Sequence, residues 1–129
     1  MPQTRLLFFQ NAGGSAPVWE WLKDLRVKNE KAYAKCAVRI KRLGEMGHEL
    51  RRPETDFLRG GVYELRAKLV SVNYRILYFF HDRDVAVFAN AITKENEIPI
   101  VEINRALERK QIFVTNPAAH TFIGDVEDV

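Results

Sequence analysis

Apolar positions run along this chain in two rhythms, helical at first and alternating later. Val18, Trp21, Leu22 and Leu25 follow i, i+3, i+4, i+7 spacing, which predicts a helix with one core-facing stripe. Ser15 stands where it can cap that helix and Pro17 falls in its first turn. Trp19 lies off the stripe and is expected to be half exposed. A second helix is predicted over about residues 30–46, with Tyr33, Cys36, Ala37, Ile40 and Leu43 on its apolar face and Gly47 at its end. Lys31, Lys35, Arg39 and Arg42 occupy another face of it.

The later rhythm has period two. Tyr63, Leu65, Ala67 and Leu69 alternate with Glu64, Arg66 and Lys68, the pattern of a strand with one wet face. Residues 72–80 are richer in aromatics, with Tyr74, Ile76 and Tyr78 on one side and Arg75, Leu77 and Phe79 on the other. A hairpin turn at residues 81–84 leads into a third strand, 85–92. Residues 5–10 read as a short opening strand, and residues 48–61 as a polar connector with Pro53 and a Gly60-Gly61 turn. Asn96 and Pro99 open a final helix that buries Ile100, Ile103, Ala106 and Leu107 and turns Glu102, Arg105 and Arg109 to solvent. The order β-α-α-β-β-β-α predicts an α+β fold, a mostly antiparallel sheet with helices packed on one face.

Composition narrows the class. A chain of 129 residues builds one core, divided here into a domain over 1–113 and an acidic tail over 114–129. With 47% hydrophobic and 29% charged residues it is neither a disordered linker nor a rod. The longest apolar runs are five residues, too short to span a membrane, and no secretory leader is expected from the opening residues. A lone Cys36 fits a reducing cytoplasm. Charge is uneven: the net value is +3, but the tail holds Asp125, Glu127 and Asp128 with no Lys or Arg, so the body carries +6. A basic body suits a polyanionic partner. The tail is expected to be loosely docked and to mask some of that charge.

Much chemistry has no signature here. His48, His81 and His120 lack metal-ligand spacing, so no metal or small-molecule cofactor is expected. Cys36 belongs to an apolar helix face. Gly13-Gly14-Ser15 lacks the lysine of a phosphate loop. What remains is a set of basic residues on a half-exposed sheet. Arg66 and Arg75 fall on adjacent predicted strands, and Lys94 ends the next. Guanidinium forks bind phosphate oxygens bidentately and neutralise charge that accumulates as a 2′-hydroxyl attacks an RNA phosphate. Spacing alone favours the plainer expectation that these arginines pair with Glu64, Asp82 or Glu102 and simply decorate the sheet.

Three blocks carry a resemblance: Gly61-Val62-Tyr63-Glu64-Leu65-Arg66, then Tyr74-Arg75-Ile76-Leu77-Tyr78-Phe79-Phe80, then Ile92-Thr93-Lys94 running on through Pro99 to Ala106. Together they resemble the phage-derived HigB branch of the RelE/ParE toxin superfamily over roughly residues 56–113. The resemblance implies a RelE-like fold and the toxin of a type II toxin–antitoxin module, cutting mRNA on the translating ribosome without a metal. It also implies a cognate helix-turn-helix antitoxin, with mRNA and ribosome as partners and no membrane. Carried over, Arg66, Arg75 and Lys94 become the catalytic residues, with Arg59, Lys68, Arg39 and Arg42 as RNA contacts. The chain departs from the branch at Ala89, Thr93 and Glu97, where that branch carries a histidine and lysines. The general base is left to Glu64 or His81. Two rivals share the fold: a ParE-like, non-enzymatic gyrase inhibitor, and a partner-binding module whose nuclease has decayed.

Overall fold

Residues 3–94 and 97–129 are described in a computed structural model of the chain. The opening strand β1 (Arg5–Phe9) is followed by α1 (Pro17–Lys28) and α2 (Glu30–Met46). Strands β2 (Thr55–Arg59), β3 (Val62–Leu69), β4 (Val72–His81) and β5 (Val85–Lys94) form a meander, and α3 (Ile100–Thr115) and the two-residue β6 (Thr121–Phe122) close the chain. The sheet order is β2-β3-β4-β5-β1-β6, antiparallel except where β1 lies parallel to β5. The expected α+β class and its antiparallel meander are therefore found. No helix among the described residues is long and apolar enough to cross a membrane.

Local chemistry accounts for the element boundaries. Asn29 caps α2, its side chain accepting from the Ala32 N–H at 3.1 Å. At α1 the cap differs from expectation. Ser15 does not accept from the helix; the Glu20 carboxylate reaches back to accept the Ala16 N–H at 2.9 Å and the Ser15 hydroxyl. The β2–β3 turn places Gly60 and Gly61 at φ of 60° and 86°, the left-handed conformation that such a hairpin requires.

Two expectations are corrected. The segment read as a polar connector contains β2, an edge strand on which Thr55 is buried while Phe57 and Arg59 are exposed. The helices, moreover, do not share one face. Phe8, Ile76, Tyr78 and Phe88 point toward α1 and α2, where they meet Val18, Leu22, Tyr33, Ile40 and Leu43. Leu7, Phe9, Leu77, Phe79 and Val87 point the other way and are covered by Ala106 and Phe113 of α3. The central strands β4 and β5 are apolar on both sides, so burying only one face would leave a second row of large side chains in water. Within α3 the buried set also shifts: Ile100 is 68% exposed, while Ala106 and Phe113 form the contact.

The acidic tail is part of the fold rather than loosely docked. Phe122 lies 4.9 Å from Trp19, ring centre to ring centre, and Val126 is buried in the core under α2. The Tyr33 hydroxyl donates to the Val126 carbonyl, Arg26 donates to the Val129 carbonyl at 2.7 Å, and Lys41 pairs with Glu127. These acids lie against α1 and α2, on the face away from Arg66 and Arg75, and do not mask that pair.

Candidate functional site

Antiparallel register places Arg66 of β3 directly opposite Arg75 of β4, on the face that α3 covers. Alternation puts Glu64 on that face too, two residues before Arg66. Toward the β5 end of α3 the cover runs out, and a pocket of about 330 Å³ opens between Asp56, Glu64, Arg66, Arg75 and the Glu97–Ile98 segment. Its floor is a buried carboxylate. Glu64 pairs with the Arg66 Nε and lies 3.8 Å from the Arg75 Nε. A carboxylate held away from water needs such partners. The second Arg66 contact runs from its Nη2 to the Asp56 carboxylate at 2.8 Å.

Asp56 is shared. Its two oxygens also take a bidentate pair from Arg52 at 3.0 and 3.1 Å. The Arg52 fork, and secondarily the Arg66 charge, hold this carboxyl below the usual aspartate range. Two arginines thus face three acidic residues around the pocket, Asp56, Glu64 and Glu97, and pair with the first two. An incoming phosphate would offer the guanidinium forks the same oxygen geometry that Asp56 and Glu64 now provide.

The remaining candidates separate by location. Lys68 is exposed on β3, two residues beyond Arg66 and on its face, in register with Asn73. Lys94 ends β5, its backbone also opposite Asn73; its side chain lies outside the described residues, as do Glu95 and Asn96. Arg59 stands at the other end of the hairpin and is tied to Asn104 of α3. Arg39 and Arg42 belong to α2, behind the sheet. Arg42 makes a bidentate pair with Glu54 at 3.1 Å, and the Arg39 Nε donates to the Arg66 carbonyl at 3.0 Å. Arg42 holds the Glu54 carboxyl below its ordinary range. The structure therefore brings Arg66 and Arg75 together, sets Lys68 beside them, and does not bring Arg39, Arg42 or Arg59 to the same pocket.

Of the two candidate bases, Glu64 is in the pocket and His81 is not. His81 ends β4 six residues from Arg75, about 20 Å along a strand, and meets the Phe113 ring edge-on at 5.1 Å. Ala89, one of the departures noted above, is fully buried beneath α3. Arg109, expected in solvent, is half-buried: it donates to the Ala89 carbonyl at 2.8 Å and lies over the Phe9 ring. Desolvation there, helped by the nearby Arg105 charge, lowers its pKa. Sequence reasoning also missed Asp56, because the connector that holds it gave no strand signal. Cys36 is on the buried face of α2, and burial pushes its thiol up to about 12, as befits a packing residue. Among the described residues no three His, Cys, Asp or Glu side chains gather as a metal site.

Residues 20–111 match the family model described as phage derived protein Gp49-like (DUF891). No curated protein matches the chain.

Proposed function

The chain belongs to the Gp49-like phage-derived family, a membership compatible with the toxin of a toxin–antitoxin module, and from it we propose that this protein is such a toxin, of HigB type, and an RNA endonuclease. One observation carries the reading: Arg66 and Arg75 face each other across adjacent strands at the open end of a sheet face. Two guanidinium forks at one pocket suit a scissile phosphate. They bind its oxygens in the ground state and hold them more tightly as negative charge builds on attack by the neighbouring 2′-hydroxyl. No metal is required for that role. Glu64, already between the two forks, keeps them oriented and takes the role of proton acceptor in this reading. The substrate is mRNA, engaged on the translating ribosome in the cytoplasm, and the partner is a small helix-turn-helix antitoxin.

A second reading has its own observation. Asp56 and Glu64 already neutralise the two forks, which suits a partner-binding module that has lost its nuclease. Expression of the full chain with and without an antitoxin, tracking mRNA integrity in a translation extract, separates them. The nuclease reading expects growth arrest with cleaved mRNA, and Arg75→Ala folded but without arrest. Intact mRNA during arrest favours the module, and gyrase-linked DNA breaks would point instead to a ParE-like inhibitor.

A further inference from the structure

Behind the arginine pocket, on the face that α1 and α2 cover, the β2 edge carries a second cleft of about 570 Å³. Its lining combines aromatic rings with arginines: His48, Arg51, Arg52, Phe57, Tyr63 and Phe80. The rings are fixed by one another. Tyr63 stacks on the buried Tyr78, with ring centres 5.5 Å apart and planes 18° from parallel. Phe57 and Phe80 meet Tyr63 edge-on at 5.2 and 5.5 Å. His48 lies against Phe80 at 3.6 Å, its Nε2 within 3.1 Å of the Arg83 carbonyl.

Phe57 is 55% exposed on an edge strand, so part of its ring stays open to a ligand while Tyr63 packs against it edge-on. Arg51 and Arg52 are both exposed at the mouth of the cleft. Fixed rings beside exposed guanidiniums are the equipment with which proteins hold single-stranded nucleic acid, by stacking bases and neutralising phosphates. The cleft and the arginine pocket share one lining residue at the β2 edge. Asp56 lines both, bound to Arg52 on one side and to Arg66 on the other. A strand crossing the β2 edge would pass from one to the other.

We propose that this cleft stacks an unpaired base of the RNA strand whose phosphate lies at Arg66 and Arg75, with Phe57 as the stacking platform. The inference rests on the RNA reading above and adds to it a base-binding subsite on the opposite face of the sheet. Bases locked within a duplex cannot enter such a cleft, so the ligand is single-stranded.

The test is equilibrium binding of a short, labelled 2′-O-methyl RNA, which cannot be cleaved, to the full chain. Phe57→Ala should weaken binding by about tenfold, the order expected for one stacked base. Phe57→Trp, which keeps a platform, should stay within about twofold of the parent. A strand with its bases removed should bind the parent about tenfold more weakly and lose nothing further with Phe57→Ala. Because stacking is not ionic, the salt dependence should be the same in the parent and Phe57→Ala. Equal affinity of parent and Phe57→Ala for the intact strand, or equal affinity of the parent for the intact and base-free strands, overturns the subsite and leaves the RNA reading standing. If the parent binds no single-stranded RNA at any salt concentration, the RNA reading falls and the subsite falls with it. The comparison of intact and base-free strands on the parent needs no substitution, so it holds even if Phe57→Ala impairs folding.

Discussion

The two faces of this sheet are built from the same strands and finished differently. On one, Tyr74, Ile76 and Tyr78 of β4 are sealed by two helices, and the tail adds Val126 to the core beneath them. On the other, Leu77 and Phe79 lie under α3, but the same row continues to Arg75, beyond that cover. The arginines sharpen the contrast. Those of α2 spend their forks on Glu54 and a backbone carbonyl, away from the pocket. Those of β3 and β4 surround an open pocket with carboxylates that a phosphate could replace. A charged position inside an apolar strand therefore marks where the cover stops, and the chemistry is to be sought there.

The largest effect should come from breaking the second face at its anchor. Phe113 is fully buried, 5.6 Å from Phe79, and Phe113→Ala should cost about 3–5 kcal/mol through lost burial and the cavity left behind. Urea denaturation checks this, and a loss below about 1 kcal/mol would mean that α3 only rests on the sheet. The first face has its own weak flank. Deleting residues 121–129 removes Phe122, Val126 and the acceptor of the Tyr33 hydroxyl, and should destabilise by about 3 kcal/mol. An unchanged melting temperature would show that the tail is dispensable.

At the open pocket the expected loss is in activity. Arg75→Ala should keep the native circular dichroism spectrum, since Arg66 still satisfies Glu64. It should lower RNA cleavage about a hundredfold, equivalent to roughly 3 kcal/mol of transition-state binding. A folded variant that cleaves like the parent would remove Arg75 from the mechanism.

The smallest effect is a pH dependence. Glu54 and Asp56 have pKa values lowered from 4.5 and 3.8 by their arginine partners. Groups depressed in the folded state stabilise it above their unfolded values, and that contribution is lost as pH falls through the folded ones. Thermal melts should therefore show stability declining as pH drops below about 5, with Glu54→Gln flattening part of the decline. Both pairs are partly exposed, so the shift is a few degrees at most.

How legible all this was depended on how local the cause is. The β3 and β4 alternation and both early helices were readable because burial there repeats at the period of the element itself. The pairing of Arg66 with Arg75 was half readable: each strand was evident, but their exact opposition depends on the Asn73–Lys68 register near the far hairpin turn. Strand β2 was hidden, since Thr-Asp-Phe-Leu-Arg is a short edge sequence that buries a polar Thr55 and exposes Phe57, so it shows no alternation of apolar-in and polar-out, and Asp56 was hidden with it. The burial of Arg109 comes from the Phe9 ring and the Ala89 carbonyl, both remote in sequence. Cover on both faces was present in the strand pattern, since residues 76–80 are apolar without interruption.

Under the proposed function, Arg66 and Arg75 hold an RNA phosphate rather than only Glu64 and Asp56. Salt dependence of binding tests it most directly. A labelled, non-cleavable single-stranded RNA should bind the parent with log affinity falling against log salt by about 0.7 per phosphate contact, and Arg66→Ala should make that slope shallower by about 0.7. A slope unchanged by Arg66→Ala would show that Arg66 serves its carboxylates alone and holds no RNA phosphate.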